Sequence, residues 1–185
     1  MGFDAVVLAG GTARRLGGAD KAEVEVGGLR LLDRVLDAVA EASRTVVVGP
    51  ARPTRRPVVW TRESPPGSGP VAALGAGLAA TAAPIVVVLA VDLPLVDAPV
   101  VASLVAAIEG DGAVLVDTSG RDQTLAGAYV RAALTARLER LGSAEGAPVR
   151  AVVEGMQLAR VPAGAAALDC DTWADVAAAR RAADG

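Results

Sequence analysis

Short apolar runs that alternate with helix-like segments constrain this chain more than any other feature. The runs are rich in β-branched residues and apolar on both faces, which is typical of buried parallel strands. Four of them stand out, at residues 4–9, 45–49, 84–92 and 112–117. Segments with helical spacing lie between them, at residues 31–42, 70–83 and 98–110. Parallel strands joined by crossover helices predict an open α/β sheet.

The remaining elements fit the same architecture. A weaker strand is predicted at 57–61, and the second half of the chain predicts further elements: strands at 125–130 and 156–161 and helices at 131–141 and 171–183. Thr172 and Asp175 have the spacing of a capping box at the start of the last helix. With 185 residues, of which 52% are hydrophobic, the chain is expected to form one domain. We predict a three-layer, Rossmann-like, mostly parallel sheet with helices on both faces.

Composition excludes several classes of function. The net charge of −3 and the scattered arginines argue against a nucleic-acid partner, and no apolar run is long enough to cross a membrane. Histidine is absent, so imidazole catalysis and most zinc sites are excluded. The single cysteine, Cys170, rules out an internal disulfide and suits a reducing compartment. We expect a soluble, cytoplasmic protein in which Cys170 is a small buried side chain.

Polar residues follow the predicted strands where ligands gather in an open parallel sheet, at the carboxyl ends. Gly10 and Gly11 follow the strand at 4–9, Glu63 follows the one at 57–61 and Asp92 ends the one at 84–92, while Asp171 lies near the end of the chain. The sequence therefore predicts that these residues share one cleft.

The stretch LAGGTARRLGGADK, residues 8–21, carries the clearest chemical signal. It matches neither the Walker loop nor the dinucleotide fingerprint, but glycines directly after a strand let backbone amides approach a phosphate. Arg14, Arg15 and Lys21 add charge within reach of a polyphosphate. Of the 18 lysines and arginines, only residue 21 is lysine, a compact mobile charge, and we expect it on a solvated loop.

This stretch resembles the signature of the molybdenum cofactor guanylyltransferases and, more widely, of sugar-phosphate nucleotidyltransferases. The resemblance continues through PPGSGPVAALGAGL, VDLPLV and LDCDTWADV, in the same order along nearly the whole chain. It implies the nucleotide-diphospho-sugar transferase type of fold and a single domain over 1–185, with nucleotide bound by the N-terminal part and acceptor by the C-terminal part.

The resemblance also implies the chemistry and its residues. The expected reaction is Mg²⁺-dependent transfer of GMP from GTP to the terminal phosphate of molybdopterin, with maturation proteins of molybdoenzymes as candidate partners. Catalytic roles fall to Lys21, Asp92 and Arg15, metal binding to Asp92 and Asp171, and acceptor binding to Arg121. Nucleotide contacts are expected from the following positions: Leu8, Ala9, Gly10, Gly11, Lys21, Glu63, Gly69 and Asp92.

The chain departs from the family pattern at three positions, and other functions stay open. Trp173 stands where the family has proline, Glu63 where it more often has aspartate, and Gly49 where guanylyltransferases often have asparagine. A cytidylyltransferase of the same cofactor is the nearest alternative, although those enzymes tend to open L-A-A-G, and Gly10 favours guanylyl transfer. A sugar- or polyol-phosphate nucleotidyltransferase and a non-catalytic GTP-binding or cofactor-escort module are the others.

Overall fold

The structure is a computed structural model that describes residues 2–10, 18, 20–142 and 146–183. The strands follow one another as β1 Phe3–Leu8, β2 Glu25–Val26, β3 Leu29–Arg30, β4 Thr45–Val48, β5 Val59–Thr61, β6 Ile85–Ala90, β7 Gly112–Val116, β8 Asp122–Val130 and β9 Leu158–Pro162. The α-helices are α1 Leu31–Ala38, α2 Pro70–Ala79, α3 Ala98–Ala106, α4 Arg131–Leu141, α5 Val149–Val153 and α6 Trp173–Ala183. Short 3₁₀ helices span Lys21–Glu23 and Gly164–Ala167.

The central sheet has the strand order β5-β4-β1-β6-β8. Its first four members are parallel, and β8 runs antiparallel to β6. Beside β8 lies the parallel pair β7 and β9, connected to it by a hydrogen bond from the Val130 amide to the Asp111 carbonyl. The predicted mostly parallel α/β sheet is therefore confirmed, with one antiparallel strand between its parallel parts.

Alternating side chains of the central strands build a core on each face of the sheet. On one face Val7 of β1 packs in a cluster with side chains of α1 and α3. On the other face Val6 packs in a cluster with side chains of α2, α4 and α5. Since both faces of the sheet are covered by helices, the central strands are apolar at nearly every position, which is the pattern the sequence shows.

Several predicted boundaries need correction. The third helix ends at Ala106 instead of reaching Gly110, and β8 begins at Asp122, three residues before the predicted strand. The sequence did not predict the β2–β3 hairpin or α5, because two-residue strands and a five-residue helix carry almost no periodic signal. Among the described residues, no helix is both long enough and apolar enough to cross a membrane.

Two glycines of α2 give a matched test of how tightly this helix packs on the sheet. A Cβ atom at Gly77 would lie 2.5 Å from Val6 Cγ1 and 2.9 Å from Val48 Cγ2, whereas one at Gly75 would meet nothing within 4 Å. Gly77→Ala is therefore expected to lower the free energy of unfolding by about 1–3 kcal/mol through overpacking. Gly75→Ala is expected to raise it by about 0.4–1 kcal/mol. Urea denaturation of both variants measures the difference, and equal effects would contradict the close packing.

Candidate functional site

A cavity of about 530 Å³ opens at the carboxyl ends of the parallel strands. The sheet register explains why polar residues meet there: Leu8 is paired with both Val48 and Ala90, so β1, β4 and β6 end at the same edge. The segments directly after these strands form its walls. Its lining includes seven of the eight positions predicted to contact nucleotide: Leu8, Ala9, Gly10, Lys21, Glu63, Gly69 and Asp92.

Close backbone contact shapes one wall of this cavity, where Gly49 follows β4. Its φ angle is +150°, and a Cβ atom there would lie 3.0 Å from both the carbonyl carbon and the carbonyl oxygen of Ala9. The Gly49 amide donates to the Thr61 carbonyl at 3.0 Å, and the Ala9 amide donates to the Val48 carbonyl at 2.9 Å. A side chain at position 49 would require the backbone at the end of β1 to shift by a few tenths of an ångström, which gives a physical reason for glycine where guanylyltransferases often have asparagine.

The Lys21 side chain joins two carboxylates that are far apart in the sequence. Its Nζ atom donates to Asp92 Oδ2 at 2.8 Å and to Asp171 Oδ1 at 2.5 Å. Burial alone would lower the pKa of the Lys21 ammonium, but the hydrogen bonds to Asp171 and Asp92 outweigh it and raise this pKa above its ordinary value. Lys21 is therefore charged. With 18% of its side chain exposed, it is also not on the solvated loop that the sequence predicted.

A short 3₁₀ helix, Lys21–Glu23, presents the ammonium. The carboxylate of Asp20 caps it by accepting the Ala22 amide at 3.1 Å, and the Ala22 side chain is fully buried. The other carboxylate oxygen of Asp20 accepts a hydrogen bond from Nη1 of Arg52, whose Nε donates to the Pro50 carbonyl at 3.2 Å. Asp20 thus connects the lysine-bearing turn to the loop after β4.

Arg52 is consequently expected to act as a positioning residue. Its side chain is only 9% exposed, and it supports Asp20 from outside the cavity. Arg52→Met is expected to lower the kcat of the reaction in which Lys21 takes part about tenfold, because a small displacement of the turn that carries Lys21 misaligns its ammonium. Arg55→Met, at an exposed position of the same loop, is the matched control and should retain wild-type turnover. Equal kcat values for the two variants would show that the Asp20–Arg52 contact does not position Lys21.

The acidic partners are held by the last part of the chain. The Cys170 amide donates to the Asp92 carbonyl at 2.9 Å, which brings the segment before α6 next to the end of β6. The predicted capping box is confirmed: Thr172 N donates to Asp175 Oδ2 at 2.7 Å, and Asp175 N donates to Thr172 Oγ1 at 3.2 Å. Trp173 is the first residue of α6 and is exposed, so tryptophan at the family's proline position does not disturb the cap.

Cys170 is buried as predicted, with 1% of its surface exposed. Burial, reinforced by the nearby carboxylates, raises the pKa of its thiol to about 11, so it is not a reactive thiolate. Burial also raises the pKa of the neighbouring Asp169 carboxyl, and the charges of Asp171 and Asp92 add to this effect. The carboxylates of Asp92, Asp169 and Asp171 therefore lie close enough to influence one another beside Lys21.

Asp92 and Asp171 are suitable ligands for a hard divalent cation. Magnesium in nucleotide sites is commonly bound by one or two carboxylates, with waters and phosphates completing its shell. Within the described ranges there is no cluster of three or more acidic, histidine or cysteine side chains that would hold a metal without further ligands. This donor set fits an ion that arrives with phosphate oxygens.

Glu63 also lies in the cavity lining but has a local partner. Its Oε1 accepts the Gly67 amide at 2.8 Å and thereby closes the loop before α2. Gly69, with a φ angle of +98°, is the residue directly before Pro70, where α2 begins. The structure therefore places the start of α2 in the lining of the cavity that Lys21 and Asp92 also line.

Arg121 lies elsewhere. It is exposed in the turn before β8 and lines a second cavity of about 860 Å³ together with Arg150 and Arg160. The two cavities are neighbours along β8, since Thr124 lines the second and Leu125 lines the first. Arg121 is thus separate from the lysine site and precedes Leu125, which lines the first cavity, by four residues.

Comparison with known proteins identifies the family of the chain. The profile of the MobA-like NTP transferase domain matches residues 5–163. The chain belongs to this family. Molybdenum cofactor guanylyltransferase of Shewanella sp. strain ANA-3 is 33% identical over 118 residues, which cover 61% of this chain and 60% of the relative. The chain thus spans about 60% of the length of the first curated relatives it matches.

Two solved structures share the fold over almost the whole chain. One is 2-C-methyl-D-erythritol 4-phosphate cytidylyltransferase from Thermus thermophilus, with a TM-score of 0.75, 24% identity and 100% coverage of both chains. The other is molybdopterin-guanine dinucleotide biosynthesis protein A from Archaeoglobus fulgidus, with a TM-score of 0.73, 22% identity and 98% coverage of both. At these identities the likeness shows the fold alone.

Within this MobA-like NTP transferase, two predicted site residues, Gly11 and Arg15, lie outside the described residues, as does Arg14. Sequence reasoning missed two others, Asp20 and Arg52. The D-x-x-E spacing of Asp20 and Glu23 resembles a capping box and offered a signal for the lysine-bearing turn. No local pattern identifies Arg52, because its contact with Asp20 joins residues 32 positions apart.

Proposed function

We propose that this chain transfers GMP from GTP to the terminal phosphate of a molybdenum-bearing molybdopterin, in a Mg²⁺-dependent reaction that releases pyrophosphate. An oxygen of the acceptor phosphate attacks the α-phosphorus of GTP. The bond from that phosphorus to the bridging oxygen breaks, and pyrophosphate leaves with the electron pair. Membership of the MobA-like family and the names of the curated relatives support the reaction class.

The observation that carries the proposal is the meeting of Lys21 with Asp92 beside a cavity whose walls are glycine backbone and strand ends. Phosphoryl transfer needs alignment and neutralisation of charge more than covalent participation of the protein. We propose that Lys21 contacts the triphosphate oxygens. The absence of a side chain at Gly10 and Gly69 would let the nucleotide approach the backbone closely. Arg15 would add charge to the same phosphates.

Asp92 and Asp171 are proposed to hold the magnesium ion, which when bound would neutralise charge on the phosphate oxygens. Glu63, which lines the same cavity, is proposed to contact the nucleotide, and Leu8, Ala9 and Gly11 are proposed to line its path. A cytoplasmic location and contacts with maturation proteins of molybdoenzymes stay predictions of the sequence.

The test is a nucleotide panel. The protein is mixed with molybdenum-loaded molybdopterin, Mg²⁺ and each of the four ribonucleoside triphosphates, and pyrophosphate release is measured. GTP is expected to support the fastest release, together with transfer of labelled GMP to the acceptor. A preference for CTP would overturn the guanylyl assignment. Binding of GTP without turnover of any acceptor would favour a binding module instead.

For the acceptor, we propose the second cavity as the place where its anionic part binds. Arg121 and Arg150 are both exposed there, and this cavity adjoins the first along β8. Arg121→Ala is expected to raise the KM for molybdopterin about tenfold, the size of one lost charged hydrogen bond, and to leave the KM for GTP unchanged. Arg140→Ala, at an exposed position of α4, is the control. Unchanged acceptor KM in the Arg121 variant would remove this cavity from the mechanism.

A further inference from the structure

The contact between Lys21, Asp92 and Asp171 has a consequence for how metal enters the site. The ammonium lies within hydrogen-bond distance of one oxygen of each carboxylate, at 2.8 Å and 2.5 Å. These are the two carboxylates suited to a divalent ion, and the Lys21 side chain is mostly buried between them. A positive charge therefore already contacts both carboxylates that would hold a metal.

We propose that Lys21 makes this site selective for a metal–nucleotide complex. Its ammonium takes the place of the divalent cation between Asp92 and Asp171 until a triphosphate binds, and the ammonium then moves to the triphosphate oxygens. The inference rests on the proposed function and adds a binding order to it. Free metal is excluded, and Lys21 is the residue that determines this specificity.

Electrostatics explain why metal alone would bind poorly. Mg²⁺ binds carboxylate oxygens at about 2.0–2.1 Å, so it cannot share the space occupied by the lysine ammonium. If the ammonium moved away with nothing to receive it, its hydrogen bonds would be lost in a partly buried place. A divalent ion beside an ammonium that stayed would be repelled by it, strongly so where solvent screening is reduced.

A triphosphate changes this balance because it provides new acceptors. Lys21 also lines the cavity where the nucleotide is proposed to bind, so phosphate oxygens would lie within the reach of its flexible side chain. Transfer of the ammonium to those oxygens would free Asp92 and Asp171 for the metal that the nucleotide brings. The same exchange would place Lys21 on the phosphates, where charge develops during the reaction.

The sequence makes the exchange directly observable, since residue 21 is its only lysine. Protein labelled with ¹³Cε-lysine should give one lysine signal in an NMR spectrum. We expect this signal to stay unchanged when Mg²⁺ alone is added to millimolar concentration and to shift when α,β-methylene-GTP is added with Mg²⁺. A full shift with Mg²⁺ alone would overturn the inference, as would no shift with both ligands bound.

Metal affinity gives a second, independent readout. In the absence of nucleotide, Lys21→Met is expected to bind Mn²⁺ at least fivefold more tightly than wild type, measured by electron paramagnetic resonance of free Mn²⁺. Lys21→Arg keeps the cation and should bind as weakly as wild type. The double variant with Lys21→Met and Asp92→Asn should lose this gain in Mn²⁺ affinity. Lys21→Gln repeats the comparison if Lys21→Met does not fold. A smaller gain in the neutral variants would overturn the inference.

These measurements separate the inference from the proposed function. They require neither an acceptor nor turnover, so a protein that transfers no GMP would still show whether Lys21 excludes free metal. Conversely, suppose that wild type transfers GMP while Lys21→Met binds free Mn²⁺ no more tightly than wild type does. That result would support the proposed reaction and refute the binding order.

Discussion

Lys21→Met is expected to lower the rate of nucleotidyl transfer by about 10²–10³-fold, the size of losing one preorganised group at a developing charge. A capped turn presents the ammonium at Asp92 and Asp171 before the nucleotide binds, and its flexible stem lets it move to phosphate oxygens in the same cavity. The measurement is kcat for pyrophosphate release with GTP and acceptor. Because its charge would contact the phosphates in the transition state, most of the loss is expected in kcat.

Lys21→Arg is the matched control for this prediction. It keeps the positive charge beside Asp92 and Asp171 but replaces a compact, mobile ammonium by a wider planar group, which is less able to follow the phosphate oxygens. We expect intermediate turnover from it. Both variants should remain folded, because the side chains of Asp92 and Asp171 are 21% and 44% exposed and water can solvate them when the ammonium is removed. Wild-type kcat in Lys21→Met would show that the lysine is not catalytic.

Asp92→Asn is expected to lower turnover by about 10²-fold or more, since it removes one of the two carboxylates assigned to the metal while keeping the shape of the side chain. The variant should also require a higher Mg²⁺ concentration for half-maximal activity. A Mg²⁺ titration of pyrophosphate release measures both effects. The Asp92 carbonyl still accepts the Cys170 amide in this variant, so the contact with the segment before α6 is preserved.

Asp97→Asn provides the comparison for that variant. Asp97 lies in the same segment after β6, but it is exposed and its side chain caps α3 by accepting the Val100 amide at 2.9 Å. Asparagine caps helices as well as aspartate does. Turnover and Mg²⁺ dependence should therefore match wild type. If Asp92→Asn behaved like Asp97→Asn, the metal assignment would be wrong.

The sequence predicted the edge of the sheet where the site lies but not the contacts within it. Strand ends can be located from apolar runs, and parallel strands bring Gly10, Glu63 and Asp92 to one edge whatever the details of packing. The Lys21 contacts with Asp92 and Asp171 join residues 71 and 150 positions apart, and no local pattern encodes such distances. For the same reason the burial of Lys21 was missed.

Short elements and exposed turns were also difficult to predict from the sequence. The β2–β3 hairpin is marked by Gly27 and Gly28, whose φ angles of +56° and +72° suit a tight two-residue turn. The flanking strands of two residues each are too short to show alternation. Arg121 lies in a turn whose direction depends on how β8 packs beside β7, so its place in a second cavity could not be read from its motif.

The most direct test of the account is a crystal structure with Mn²⁺ and α,β-methylene-GTP, in which anomalous scattering locates the metal. We expect the Mn²⁺ peak between Asp92 and Asp171, with the triphosphate in the cavity lined by Gly10 and Gly69 and the Lys21 ammonium on phosphate oxygens. A triphosphate bound elsewhere, with the ammonium of Lys21 still between the two carboxylates, would contradict the account.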